Sequence, residues 1–229
     1  MAIGNKNTNN YENKNVYFIN VVTKEKGEDG KEKDVKPYFS FRQKTGEVYN
    51  EVQKNNAFSG AISKVSTYER DGTAGKTPRV RIIVEDGDDV YFLDFGYTIL
   101  SRSVFNSLLS LETLEDIAFQ IYQTKPNDKG EMFPQISIRQ GEGRDNMVRW
   151  KFNKDDLPEV KKVRINGKMQ SDTEAIDLFF RDKINAKFSN FASSTKPKTS
   201  TRPAAAPVTE DSPSDSDVPF WVIDNQRLR

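Results

Sequence analysis

The sequence predicts a mainly β domain followed by a disordered tail, and two observations support that prediction. Much of the chain consists of short segments in which β-branched and aromatic residues alternate with polar ones, separated by Gly- and Asp-rich turns. By contrast, the stretch from Ser189 to Asp217 has no large apolar residue except Phe191 and Val208. Such a stretch cannot bury enough apolar surface to offset the entropy of ordering it.

The predicted strands follow this alternation. In residues 79–84, Arg79 and Arg81 alternate with apolar residues, which gives the strand one polar and one apolar face. We expect strands at 16–22, 36–44, 57–69 with a bend at Gly60, 79–84, 90–97, 114–123, 132–140, 147–152 and 160–165. The charged segment 24–34 and the Asp-rich segment 86–89 are expected to be connections.

Two helices are predicted, at 101–111 and at 172–188. Ser101 or Ser103 is the expected cap of the first helix, and Ser171 with Glu174 is the expected capping box of the second. Many short strands, with a short helix after the first strands and a C-terminal helix, favour a small barrel or sandwich. We expect an OB-like barrel, whose single helix between the third and fourth strands would be 101–111.

The predicted organisation is a flexible N-terminus at 1–14, a barrel domain at 15–190, and a disordered linker with an acidic tip at 191–229. The 229 residues include no cysteine and no histidine, which excludes disulfides, thiolate zinc sites and the usual general base. The net charge is +1, so a nucleic-acid face would need local segregation of charge. The polar start of the chain does not resemble a signal peptide, and we expect no membrane association.

The tail combines acidic residues with an aromatic pair. Glu210, Asp211 and two later aspartates occur with no basic residue between Arg202 and Arg227. The acids would steer a partner protein and a ring would anchor it. The expected partner-binding residues are Asp215, Asp217, Val218, Pro219, Phe220 and Trp221. A solvated tail without a partner is the alternative.

Several predicted strands present basic and aromatic side chains on one face. Arg79 and Arg81 share a face, as do Arg149 and Lys151. Single-stranded nucleic acid is bound by this combination, because cations contact phosphates and rings stack on bases. The candidate binding residues are Lys36, Tyr38, Arg42, Lys44, Arg79, Arg81, Tyr97, Arg139, Arg149 and Lys151. Exposed strand faces are also commonly basic because basic residues discourage edge pairing, and that interpretation stays open.

The sequence has no motif typical of catalysis or of a bound cofactor. The Asp86–Asp89 segment fits a turn between two strands better than a metal site, and no phosphate-binding or dinucleotide-binding glycine motif is present. We therefore expect no catalytic residue, no metal and no cofactor. A magnesium-dependent nuclease built on carboxylates and a virion or structural interaction protein remain as alternatives.

Residues 60–192 also carry the motifs of a known family. These include Gly60-x-Ile62 opening a strand, the sequence VRIIVEDGD at 80–88, and the strand at 90–95. The motifs continue with WKFNKDDLPE at 150–159, KKVRINGK at 161–168 and Asp172-Thr173 before Ile176 and Phe179-Phe180. With the linker and acidic tip, these features resemble the single-stranded DNA-binding proteins of tailed bacteriophages, notably the crAss-like group, with a tail like that of bacterial single-stranded DNA-binding proteins.

The resemblance implies an OB-like fold and sequence-tolerant coating and protection of single-stranded DNA during phage replication or recombination, without catalysis. It also implies that the protein works in the cytoplasm of the bacterial host and recruits replication or recombination proteins through its tail. In the bacterial proteins the Pro-Phe pair is terminal, whereas here Trp221 and further residues follow Phe220. We therefore expect a phage-encoded partner. The sequence leaves open whether copies of the chain form a homo-oligomer.

Overall fold

The computed structural model of the chain describes Tyr11 and residues 13–72, 75–141, 146–165 and 168–189. Most of the predicted flexible segment 1–14 and the whole of the predicted tail at 191–229 lie outside the described residues. The described residues form ten strands and two α-helices. In chain order these are β1 (Asn15–Lys26), β2 (Glu32–Thr45), β3 (Val48–Asn55), β4 (Ala57–Gly72), β5 (Gly75–Asp86), β6 (Asp89–Gly96), α1 (Ile99–Ser110), β7 (Ile117–Gln123), β8 (Pro134–Gln140), β9 (Lys161–Ile165), β10 (Lys168–Asp172) and α2 (Glu174–Phe188).

Eight strands form one large sheet in the order β3-β2-β1-β6-β5-β4-β7-β8, and β9 and β10 form a separate hairpin. The pairing of β1 with β6 is parallel, and the other neighbours pair antiparallel. The mainly β prediction is confirmed. Among the described residues the ladders do not close into a barrel, because β3 and β8 remain at opposite ends. The first helix follows six strands, whereas the helix of the expected OB-like barrel lies between the third and fourth.

One face of the large sheet forms the core. In β5, Val80, Ile82 and Val84 are completely buried, as the alternation predicts. Burying apolar side chains of this size stabilises the fold by about 1.5–3 kcal/mol each. The core face is covered by α1 and α2, whose apolar residues belong to the same cluster as the strand residues.

Strand β4 changes its pairing partner at Gly60, where a bend is predicted, and so joins two parts of the sheet. Residues 57–60 pair with β7, and residues from Ala61 onward pair with β5. The bend brings the strands so close that a Cβ atom at position 60 would lie 2.6 Å from the backbone oxygen of Glu85. Glycine is therefore required here by the close approach of another backbone.

The two helices are joined by polar contacts as well as apolar ones. Arg102 on α1 is nearly completely buried and forms an ion pair of 2.7 Å with Asp177 on α2. Lys187 on α2 donates its Nζ protons to the carbonyl oxygens of Leu108, Leu109 and Leu111, at distances of 3.2, 2.8 and 2.6 Å. Since α1 has no basic residue in its last turn, this lysine supplies the positive charge and the donors that the carbonyls at the end of that helix favour.

Three sequence predictions about local structure are wrong. Thr98, and neither Ser101 nor Ser103, is the N-cap of α1, and its hydroxyl accepts a hydrogen bond from the Ser101 backbone. The α2 cap is Thr173, while the Glu174 backbone donates to Asp172, so the Ser171–Glu174 capping box does not form. Residues 147–152 are not a strand beyond a single bridge at Met147. They are held instead by Asn106 of α1, whose side chain bonds the backbone of Phe152 at both its nitrogen and its oxygen.

Candidate nucleic-acid interface

The sheet face opposite the core, here called the outer face, gathers much of the predicted chemistry. The register places Phe18 of β1 between Arg42 of β2 and Phe92 of β6, and Arg81 of β5 between Asp94 and Ser66. Strict alternation along the strands then puts other predicted residues on this face. The predicted binding residues on the outer face are Lys36, Tyr38, Arg42, Lys44, Arg79 and Arg81.

Three tyrosines on the outer face each lie beside a cation. The Lys54 ammonium lies 4.7 Å from the ring centre of Tyr38, and the Lys44 ammonium lies 5.9 Å from that of Tyr49. Further along the same face, on β4 and β5, the Arg81 guanidinium lies 4.8 Å from the ring centre of Tyr68. Each pair combines a flat ring with a positive charge at cation–π distance.

Phenylalanine rings fill the centre of the outer face between these pairs. Phe18 and Phe92 stack with centroids 5.5 Å apart, and Tyr49 meets Phe18 edge-on at 4.9 Å. Phe92 is 3% exposed, so it supports the surface and is not itself accessible to a ligand. Tyr11, near the start of the described chain, packs edge-on against Phe92 at 5.8 Å. The accessible rings are therefore the tyrosines at the margins.

Arg81 is less available to a phosphate than its sequence pattern suggests. Its Nε donates to one carboxylate oxygen of Asp94 at 2.8 Å, and its Nη2 donates to the other at 2.7 Å. These hydrogen bonds raise the pKa of the Arg81 guanidinium and compensate its charge. Arg79 donates to the backbone oxygen of Asp94 at 3.2 Å. This acceptor is an uncharged carbonyl, so the bond does not neutralise the positive charge of Arg79.

Glu25, near the end of β1, organises the surface of β2 and β3. The Tyr38 hydroxyl donates to Glu25 at 2.6 Å, and Lys54 donates to the same carboxylate oxygen at 3.2 Å. Desolvation, and then the bond to Glu25, raises the pKa of Tyr38, so the hydroxyl stays protonated at neutral pH. This network fixes the orientation of the Tyr38 ring. Lys36 and Lys44 are exposed on the same strand.

Three of the predicted binding residues, Tyr97, Arg149 and Lys151, lie on the core side of the sheet, while the register places Arg139 on the outer side but at the far end, in β8, away from the other six. Tyr97 packs its ring 5.3 Å from that of Phe105 on α1, and desolvation raises the pKa of its hydroxyl to about 12. Arg139 lies near the end of β8, opposite Met147. Exposed Arg149 and Lys151 belong to the segment along α1, which lies on the core side of the sheet. The structure thus separates the predicted set into two groups.

A groove of about 590 Å³ opens beside Tyr97, between the β9–β10 hairpin and the start of α2. Its lining includes four acidic side chains and one arginine, namely Glu69, Asp172, Glu174, Asp177 and Arg181. Desolvation raises the pKa of the Asp177 carboxyl, and Arg102 opposes that shift. An acidic lining repels phosphates, so this groove does not suit nucleic acid.

Sequence reasoning missed the outer-face residues contributed by β3 and β4. Tyr49 and Lys54 lie on β3, which we did not predict because the sequence VYNEVQKN has too few apolar residues to show a buried face. Tyr68 lies in a predicted strand, but its cation partner Arg81 is on the neighbouring strand. The Val-Tyr pair at 48–49, two residues after Gly46, is the signal that could have revealed the strand.

Within the part of the chain that the structure describes, no group of three or more His, Cys, Asp or Glu side chains is placed to hold a metal ion. No helix among those residues has the length and apolar character to cross a bilayer.

Comparison with known proteins gives no relative for this chain. No family model, no curated protein and no solved structure matches it.

Proposed function

We propose that this chain binds single-stranded DNA without sequence preference, using the outer face of its large sheet. The observation that supports the proposal best is the set of three tyrosines, Tyr38, Tyr49 and Tyr68, each placed beside a cation on that face. Rings of this kind stack on any base, and cations beside them contact the phosphates between bases. The proposal includes an OB-like mode of binding on a curved sheet, and it does not need a closed barrel.

The exposed lysines of the outer face and Arg81 have different roles in this proposal. Lys36 and Lys44 are exposed on β2, so they would contact phosphates directly. Arg81 is held by Asp94 and instead packs against the Tyr68 ring, which it orients. Binding would thus be strongest on the β2–β3 side of the sheet. Tolerance of sequence follows because stacking and phosphate contacts do not distinguish the four bases.

The tail has a separate part in the proposal. Its acidic and aromatic residues, Asp215, Asp217, Val218, Pro219, Phe220 and Trp221, lie outside the described residues, and their role stays a prediction. The acids would compete with DNA for the outer face. Once displaced, the tail would recruit a replication or recombination protein in the cytoplasm of the bacterial host.

Removing the accessible rings should weaken binding. We expect Tyr38→Ala and Tyr49→Ala to lower the affinity for an unstructured oligonucleotide by roughly 5- to 100-fold each, because stacking contributes about 1–3 kcal/mol per base. Fluorescence titration measures this loss. Tyr122→Ala is the matched control, since Tyr122 lies on β7, toward the end of the sheet opposite β3, and bonds Gln135 through its hydroxyl at 2.8 Å. Equal losses in all three variants would contradict the assignment of the rings.

Salt dependence separates the two groups of basic residues. Each phosphate contact to single-stranded DNA contributes a slope of about −0.7 in log affinity against log salt, so Lys36→Ser/Lys44→Ser should make the slope shallower by about 1.4. Arg149→Ser/Lys151→Ser removes the same charge from the segment along α1 and should leave the slope unchanged. The proposal fails if the second pair alters the slope and the first does not.

A further inference from the structure

Strand β3 is an unusual end for a large sheet. Its residues Val48, Tyr49 and Val52 are 60%, 42% and 51% exposed, and they are three of the seven large apolar side chains that are exposed among the described residues. Among the described strands, β3 pairs with β2 alone, so its other edge carries backbone groups that face away from the sheet. An apolar edge of this kind is a template for pairing with another strand.

The opposite end of the sheet is protected by the chain itself. Strand β8 begins at Pro134, which has no backbone N–H to donate. Further along, the Val148 backbone donates to the Ile138 oxygen at 2.8 Å, and the Gln140 backbone donates to the Asn146 oxygen at 3.0 Å. The described residues thus cover the outer edge of β8 and leave that of β3 uncovered.

We propose that β3 pairs antiparallel with β3 of a second copy of the chain, around a two-fold axis near Asn50. Strand β3 pairs regularly with β2 from Val48 to Glu51 and has an irregularity at Val52, and the segment Val48–Val52 is self-complementary around Asn50. Val48 of each copy then faces Val52 of the other, which covers four exposed valines in the pair. Opposing Val–Val pairs stabilise a sheet, and like charges directly opposite would destabilise it.

The charges of β3 also fit this register. Tyr49 of one copy faces Glu51 of the other and Asn50 faces Asn50, so no two like charges stand directly opposite within Val48–Val52. This self-complementarity favours a second copy over an unrelated strand. The eight-residue edge is short compared with the roughly 1,600 Å² of a standard interface, so the dimer should be weak and concentration-dependent.

The two-fold pairing would also change how DNA binds, a consequence that rests on the proposed function. A two-fold axis that relates antiparallel edge strands is perpendicular to the sheet, so it keeps the same face on the same side. The two outer faces would therefore join into one surface with the Tyr49 rings near its centre. A strand long enough to cover both copies would bind more tightly than two short ones, because the second contact is intramolecular.

A charge placed on the edge tests the interface without DNA. In the full-length chain, Val52→Lys should abolish dimer formation, because each copy would bury an unpaired ammonium against the other's Val48. Met132→Lys is the matched control, since Met132 is 48% exposed in the β7–β8 connection. Sedimentation velocity over a wide concentration range should show dimer for the wild type and for Met132→Lys, and monomer for Val52→Lys.

A cross-link tests the register. The chain has no cysteine, so Asn50→Cys provides a single thiol at the proposed axis. Opposed residues of an antiparallel pair have Cα atoms about 4.5–5.5 Å apart, within the range for a disulfide. Mild oxidation should give a disulfide-linked dimer, whereas the equally exposed Asp128→Cys in the β7–β8 connection should stay largely monomeric.

The outcomes distinguish this inference from the proposed function. The interface is overturned if the wild type is monomeric at every concentration and Asn50→Cys cross-links no better than Asp128→Cys, whether the edge is bare or covered by residues 190–229 of the same chain. Dimer formation with no binding of single-stranded DNA supports the interface and refutes the proposed function.

Discussion

Arg102→Met should lower the free energy of unfolding by about 3–5 kcal/mol, because it leaves the Asp177 carboxylate without its buried partner. The Arg102 side chain is 6% exposed and that of Asp177 is 23% exposed, so water cannot replace the lost interaction fully. Arg102 also donates to the Thr173 hydroxyl at 2.5 Å, at the N-cap of α2. In a chain of this size the loss corresponds to a melting temperature lower by roughly 10 °C. Thermal unfolding followed by circular dichroism measures it.

The pH dependence of this variant has a definite sign. Burial raises the pKa of Asp177 above its usual value, and Arg102 counteracts that shift. A raised carboxyl pKa means that the folded state favours the protonated form. The free-energy cost of ionising Asp177 in the folded state therefore appears as the pH rises from the ordinary carboxyl pKa toward the pKa of the folded state. Removing Arg102 should raise the pKa further. The destabilisation should therefore be larger at pH 7 than at pH 4.

Two comparisons test the cause of this effect. Arg181→Met removes an arginine from α2, the helix that carries Asp177; its side chain is 41% exposed and lies 3.5 Å from Asp182, so the change should alter stability by less than about 1 kcal/mol. Arg102→Met/Asp177→Leu removes both charges and should recover much of the loss. A double variant as unstable as Arg102→Met alone would show that packing, and not the unpaired charge, causes the effect.

Gly60→Ala should cost about 3 kcal/mol, because the added methyl would overlap the backbone of a neighbouring strand. Its Cβ would lie 2.6 Å from the Glu85 oxygen and 2.8 Å from a methyl carbon of Val84. Relief requires β4 to straighten at the point where it passes from β7 to β5. Hydrogen exchange should then show reduced protection along β7 and β8. Chemical denaturation measures the change in stability.

Gly130→Ala is the matched control for that prediction. Gly130 has φ 76, and nothing lies within 4 Å of a Cβ atom at this position. Its substitution should cost about 1 kcal/mol for the left-handed conformation alone. If both variants lose the same free energy of unfolding, the close approach of β5 to Gly60 is not a constraint on the fold.

The sequence predicted which side chains face the core better than it predicted the partners of side chains on neighbouring strands. Alternation in β5 correctly assigned Val80, Ile82 and Val84 to the core, because burial depends on a period that a single strand reveals. The same alternation placed Arg81 on the outer face but could not show that Asp94 compensates its charge, since Asp94 comes from the next strand. A cross-strand partner depends on register, which local sequence does not fix.

Tertiary contacts explain the predictions that failed. Residues 147–152 alternate like a strand, yet Asn106 of α1 takes the hydrogen bonds that a neighbouring strand would have made to Phe152. Tyr97 ends a predicted strand beside basic residues, but its ring is drawn into the core by Phe105. The sequence therefore predicted which kinds of residue form the candidate site, but it identified only some of the residues that the structure brings together.

The parallel pairing of β1 with β6 determines when this protein can fold. The contacts between Phe18 and Phe92 span most of the first hundred residues, so an N-terminal meander made of β1, β2 and β3 must wait for β6. During synthesis that meander would leave the ribosome with Phe39 and Phe41 uncovered and an apolar edge exposed. Non-local pairing of this kind slows folding to milliseconds or longer. Until β6 has been synthesised, the nascent chain would thus expose apolar surface that favours aggregation.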